Sequence, residues 1–245
     1  MAAGAGAVNG AVGGARARHY LRAMTRILAV LLVLALPGAA SAAPARFEML
    51  VAGLPIGEAT LDYRDGYVID ATARSAGAAR ALSRYDYAGR VTGTGSGARL
   101  APARYEEVER RRGEEDRVVL RLGARAGVEG DPDGMLPPER LRGAVDPLTA
   151  MHLLLRARAL DGACALDVTY TDGKRLSRLA LAPTADPLRC AGTWFRLDGP
   201  PPGDGRERRD RAPFTVDLAP APGGGVWAAA VTADAPIGRF VLRRR

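Results

Sequence analysis

Ala59-Thr60-Leu61-Asp62-Tyr63-Arg64-Asp65-Gly66-Tyr67-Val68-Ile69-Asp70-Ala71 carries the fold in miniature. Ala59, Leu61 and Tyr63 fall on one face of an extended chain. Arg64-Asp65-Gly66 turns it, and Tyr67, Ile69 and Ala71 resume the alternation against Val68 and Asp70. A period of two bounded by Asp-Gly is the strongest short signal of a β-hairpin.

The same grammar extends in both directions. Phe47, Met49 and Val51 alternate before Gly53-Leu54-Pro55 interrupts them, and Tyr85, Tyr87 and Val91 alternate before the glycine-rich 93–97. Two charged segments, 104–111 and 117–122, flank Arg112-Gly113-Glu114-Glu115. Segments 164–170 and 174–182 flank Thr171-Asp172-Gly173, and 189–197, 214–218, 226–232 and 237–242 follow as further strands. Roughly a dozen short strands with one helix predict a mainly β protein, an antiparallel curled sheet or barrel-like fold.

Residues 146–158 form the expected helix. Asp146 is a good N-cap, and Pro147 suits the first helical position, where its missing N–H costs nothing. Leu148, Met151, His152 and Leu155 recur at helical spacing, with Leu153 and Leu154 widening the apolar face, so the helix is expected to cover an open end or one face of the sheet. Residues 77–83 read either as a helical turn or as a loop. The 52–57 and 233–238 segments, Ala-Gly-Leu-Pro-Ile-Gly and Ala-Asp-Ala-Pro-Ile-Gly, echo each other and suggest hairpins that meet where the sheet closes.

Residues 1–42 read as a secretory signal. Residues 27–36 are uncharged and apolar, follow Arg26, and are broken by Pro37-Gly38. Ala40-Ser41-Ala42 offers small residues for a peptidase cut before Ala43. The run is too short to span a bilayer, which takes about 20 residues. Translation from Met24 would give a conventional signal, leaving residues 1–23 as a start-site artefact. The remaining 43–245 read as a single β-rich domain with an exposed, proline-rich and charged loop at about 199–212. No later segment is apolar enough to span a membrane, so a periplasmic location is expected.

The full chain has 245 residues and a formal net charge of +8, from 35 basic and 27 acidic residues. Four leader arginines account for half of that excess. Lys174 is the single lysine, and the arginine bias reads first as codon usage. Composition excludes a disordered or fibrous chain. Cys164 and Cys190 both lie in the exported part, where an oxidising compartment favours a disulfide over two buried thiols.

These residues also resemble an exported bacterial family catalogued as domain of unknown function 3108. The likeness rests on G-L-P-I-G-E-A at 53–59, D-P-L-T-A at 146–150, G-A-C-A-L-D-V-T-Y-T-D-G-K-R at 162–175, R-C-A-G at 189–192 and P-I-G-R-F-V-L at 236–242. It covers most of 46–245. The resemblance implies a β-rich, signal-bearing envelope protein, and implies neither a reaction nor catalytic residues.

Site chemistry is sparse. His152 is the one histidine of the mature chain and sits in the apolar helix, so a Ser-His-Asp catalyst has no free base, and Gly95-Ser96-Gly97 lacks the spacing of a nucleophile elbow. One histidine and an expected cystine cannot make a zinc site, and Asp131, Asp133 and Gly134 fall short of a calcium loop. No cofactor or metal is expected. Glu106, Glu107, Glu109, Glu114 and Glu115 are numerous enough for a carboxylate-pair hydrolase. Their interleaved arginines are expected to hold their pKa values low, which suits a solvated sheet face better than a general acid. Basic clusters at 110–112, 206–211 and 243–245 lack the aromatic platforms of nucleic-acid binders. The expected function is therefore a non-catalytic β-barrel-like protein of envelope assembly or maintenance, holding a lipid-like or amphiphilic ligand, with Tyr85, Tyr87, Trp194, Phe195 and Trp227 as candidate wall residues. A carbohydrate-active hydrolase is the alternative.

Overall fold

The computed structural model describes residues 43–245 apart from 65, 83, 98, 130–133, 201–209 and 236–237. The expected signal sequence, the calcium-like Asp131-Asp133 pair and most of the expected 199–212 loop therefore lie outside the described residues. Thirteen strands are described: β1 (Ala45–Val51), β2 (Leu54–Arg64), β3 (Val68–Ser75), β4 (Tyr85–Ser96), β5 (Arg99–Arg111), β6 (Glu114–Arg121), β7 (Gly127–Glu129), β8 (Asp167–Thr171), β9 (Leu176–Pro183), β10 (Arg189–Asp198), β11 (Arg211–Pro220), β12 (Val226–Ala235) and β13 (Gly238–Arg244). Three short α-helices accompany them, α1 (Gly77–Leu82), α2 (Pro138–Leu141) and α3 (Pro147–Leu155), with a 3-10 turn at Gly123–Arg125.

All thirteen strands belong to one sheet, in the order β7-β6-β5-β4-β3-β2-β1-β13-β12-β11-β10-β9-β8. Each neighbouring pair is antiparallel. The expected class, a curled antiparallel sheet, is the observed one. The echoing hairpins do adjoin: Val51 pairs with Phe240, and the Ala52 N–H donates to Arg239 O at 2.8 Å. They meet in the middle of the sheet, where the first and last strands pair, and not where it closes.

Closure occurs elsewhere. The two ends of the sheet approach until Lys174, in the β8–β9 turn, pairs with Asp116 of β6 at 3.0 Å. Leu136 N–H donates to Gly173 O at 2.7 Å, and Val145 bridges Tyr170 of β8. Gly173 has φ +88°, and a Cβ there would lie 2.8 Å from a Leu120 methyl. Only glycine allows the turn to press that closely on β6. The segment between β7 and α3 thus covers an edge that would otherwise expose unpaired backbone groups.

Period-two alternation builds the core. Ile69, Val91, Tyr105 and Leu120 form one register row across β3 to β6, and all four are fully buried. Each such side chain contributes ~1.5–3 kcal/mol of burial free energy. α3 lies inside the curl: it packs against β3 and β4 on one side and β8 and β12 on the other. Leu148, Thr149, Ala150, Leu154 and Leu155 are its buried residues, whereas Met151 is exposed. Of the expected apolar face, Leu148, Leu154 and Leu155 are buried and Met151 is not, while Thr149 and Ala150 are buried in addition, because an enclosed helix has walls on more than one side.

Candidate functional site

The N-terminus of α3 is fixed by a closed polar network. Asp146 Oδ1 accepts the Thr149 N–H at 2.9 Å, its Oδ2 accepts the Thr149 hydroxyl, and the Thr149 oxygen accepts the Tyr67 hydroxyl. All three residues are fully buried. Tyr67 has φ +62°, a left-handed conformation that costs a non-glycine residue about 1–2 kcal/mol. Placing its ring in the core and its hydroxyl on Thr149 offsets that strain. Burial raises the Asp146 pKa above the usual aspartate value, opposed by the hydrogen bonds from Thr149.

A second network runs along the inner face of β4 and β5. Tyr87 donates to Tyr105 at 3.1 Å, and Tyr105 donates to Glu107. Burial, then the nearby Asp172, Glu109 and Asp116, raise the Glu107 pKa, while the Tyr105 hydroxyl lowers it. Desolvation likewise lifts Tyr87, and lifts Tyr85 to about 12. This corrects the expectation that arginines would hold every glutamate here low. Alternation places Glu106 on the outer face, where the Arg104 and Arg117 guanidiniums depress its pKa. It turns Glu107 inward beside Tyr105 and away from them. The parity of Tyr105 was the available sequence signal.

The five candidate wall aromatics do not converge. Tyr85 and Tyr87 share the inner face of β4, with the Arg111 guanidinium 5.7 Å from the Tyr85 ring. Trp194 shares the face of buried Cys190 and Gly192, and its Nε1 donates to the Tyr170 hydroxyl at 2.9 Å. Phe195, its neighbour along the strand, necessarily faces outward, under Arg178 at 5.7 Å. Trp227 lies far along the sheet against Arg244, whose guanidinium is 4.2 Å from its ring and 4.9 Å from that of Phe47. His152 stacks on Tyr63, with centroids 4.4 Å apart. Burial and then Arg156 depress its pKa to about 4, so it is neutral at pH 7.

Cys164 and Cys190 form the expected disulfide, with Cα atoms 5.4 Å apart. It ties the loop after α3 to β10 and forms one wall of an open groove of about 880 Å³, lined by Leu160, Ala163, Ala165, Leu181, Ala182 and Pro183 among others. Leu160 and neighbouring Leu188 are large apolar side chains left exposed. Sequence reading missed this groove, because nothing periodic in the loop at 160–165 shows that it packs beside the end of β9. None of the five aromatics lines it.

Among the described residues no cluster of three or more His, Cys, Asp or Glu is arranged to hold a metal ion. No described helix is long and apolar enough to cross a membrane. No family model matches the chain, and no curated protein matches it. Among solved structures, the chain is similar to a β-barrel-like protein of domain of unknown function DUF1849 from Brucella abortus. The two share 13% identity over 82% of this chain and 95% of that one, with a TM-score of 0.44. At that level the fold assignment rests on the strands described above.

Proposed function

We propose that the chain is an exported, non-catalytic, β-barrel-like protein of the cell envelope, of the kind grouped as domain of unknown function 3108, and that it holds the apolar part of a lipid-like ligand. The groove beside Cys164–Cys190 supports this reading. It is lined mainly by apolar side chains, its volume lies in the range of ligand sites, and it is open to solvent. α3 fills the curl itself, so the groove suits an aliphatic chain better than the interior does.

Native mass spectrometry of protein purified from a Gram-negative periplasm tests the proposal. The expected result is a co-purifying lipid that is lost in Ala165→Trp, a substitution that fills the groove. A clean apo protein that takes up no lipid from detergent micelles would overturn it. N-terminal sequencing of the same sample is expected to start at Ala43.

A second reading, a carbohydrate-active hydrolase, draws on Glu107. A desolvated carboxyl with a raised pKa, near other acids, is what a general acid requires. Release of reducing ends from peptidoglycan or polysaccharide by the parent, abolished in Glu107→Gln, would favour it. The absence of turnover would leave Glu107 a structural group.

A further inference from the structure

We propose that Arg156 and Arg158, at the exit of α3, form a binding site for a phosphate-type oxyanion. The two ends of this helix are satisfied very differently. At its start every polar group of Asp146, Thr149 and Tyr67 has a partner. At its end Arg158 Nη1 donates to Leu153 O at 2.8 Å, but Arg158 Nε and Nη2 and Arg156 Nε are shielded from solvent and have no hydrogen-bond partner. Nε and one Nη form the planar edge with which a guanidinium grips two oxygens of one anion side by side. Arg158 therefore presents the bidentate edge, and Arg156 supplies a further donor nearby.

Charge points the same way. Arg156 is close enough to Arg158 for their charges to oppose each other, and neither has a carboxylate partner among the described residues. Most of the described arginines are paired, in ladders such as Arg110–Glu115 and Arg121–Glu129 at 2.8 Å. The carbonyls of the last helical turn supply only partial negative charge. Arg244 already takes two acceptors, Leu155 O at 2.8 Å and Ala228 O at 3.2 Å. Two cations with buried, unused donors cost free energy that a doubly bonded oxyanion would recover.

Both residues are half-buried, although these particular donors are themselves covered. Leu160, which lines the apolar groove, follows Arg158 by two positions. The oxyanion is accordingly either a free phosphate or the headgroup of an anionic lipid. The site does not depend on the groove being occupied, because its chemistry is that of the two guanidiniums alone.

The test uses the purified chain in phosphate-free buffer at fixed ionic strength. Isothermal titration with inorganic phosphate is run beside flotation with vesicles of phosphatidylcholine alone or containing phosphatidylglycerol. The parent is expected to bind phosphate, the phosphatidylglycerol vesicles or both. Arg156→Gln and Arg158→Gln are each expected to weaken binding by about tenfold or more, as loss of a charge-assisted contact does. Arg110→Gln, on the outer ladder, is expected to bind as the parent does. Binding of phosphate identifies a free oxyanion as sufficient, and binding of the anionic vesicles alone identifies the headgroup. Arg158→Gln also loses its bond to Leu153, so Arg156→Gln, which breaks no hydrogen bond, is the decisive variant. The proposal is overturned if the parent binds neither probe, or if Arg156→Gln binds as tightly as the parent.

Discussion

Glu106 and Glu107 are neighbours in sequence and opposites in environment. Glu106 projects from the outer face of β5 into a ladder of arginines, 2.7 Å from Arg104, and its pKa is depressed. Glu107 projects inward, accepts a tyrosine hydroxyl, and is held up by desolvation. The pleat alone separates them. The inner and outer faces of this sheet thus use the same residue types for different ends. Inside, a few polar groups are buried and mutually saturated, which positions α3. Outside, many charges are paired in water, where such pairs contribute little to stability.

If that contrast is right, the largest stability effects belong to the inner network. Asp146→Ala removes the cap of α3 and strands the buried Thr149 and Tyr67 hydroxyls. The expected loss is about 2–4 kcal/mol, combining a lost N-cap with unsatisfied buried donors. Chemical denaturation followed by tryptophan fluorescence measures it, and a loss below 1 kcal/mol would break the contrast. Tyr67→Phe removes one end of the same chain of bonds and is expected to cost about 1–2 kcal/mol. Because Thr149 links the two sites, the double variant should lose less than the separate losses taken together. Simple additivity would show that the hydroxyls act independently.

The fold and the site were legible in the sequence to different depths. Hairpins with Asp-Gly turns and strict alternation, such as 59–71, announced themselves, because turn chemistry and the burial of one face act within a dozen residues. The cap at Asp146-Pro147 was equally local. What could not be read was whatever depends on how the sheet closes. Nothing within β6 or the β8–β9 turn says that Asp116 will meet Lys174, or that Gly173 must be small to admit Leu120. The burial of Thr149 and Ala150 beside the expected apolar face was hidden for the same reason, since residues 147–155 have walls on several sides. The groove beside Cys164–Cys190 was invisible because an aperiodic loop at 160–165 builds it with the end of β9 and the turn that follows. Glu107 was the avoidable miss, as its register with Tyr105 was already on view.

A smaller effect is expected at Glu107 itself, and it should depend on pH. Its folded pKa is raised above the unfolded value, so the folded state holds this proton more tightly. Its contribution to stability is therefore fully present below the unfolded pKa, about 4.3 for glutamate, and is lost as pH rises through the folded pKa. Glu107→Gln keeps an acceptor for Tyr105 and carries no charge. It is expected to gain stability modestly at pH 7 and to match the parent near pH 3, in parallel melts across that range. A variant that loses stability at pH 7 would show that the charged carboxylate is favoured there, which would weaken the hydrolase reading, since a general acid must hold its proton.

The smallest effects are expected on the outer ladder. Arg110 and Glu115 lie 2.8 Å apart with more than half of each side chain exposed. Such a pair gains little, because water screens the attraction and two long side chains lose rotamer freedom to hold it. Replacing both by Gln is expected to change stability by under about 0.5 kcal/mol, and raising the salt concentration should shrink even that difference. A larger cost would mean that the ladder acts as a cooperative network, since Arg104, Arg117, Arg121 and Glu129 run in the same direction along β5 to β7. A double-mutant cycle separates the possibilities: a coupling energy near zero leaves the inner groups as the determinants of α3 placement. A coupling above about 1 kcal/mol would assign the outer charges a structural share that the geometry of an exposed pair does not supply.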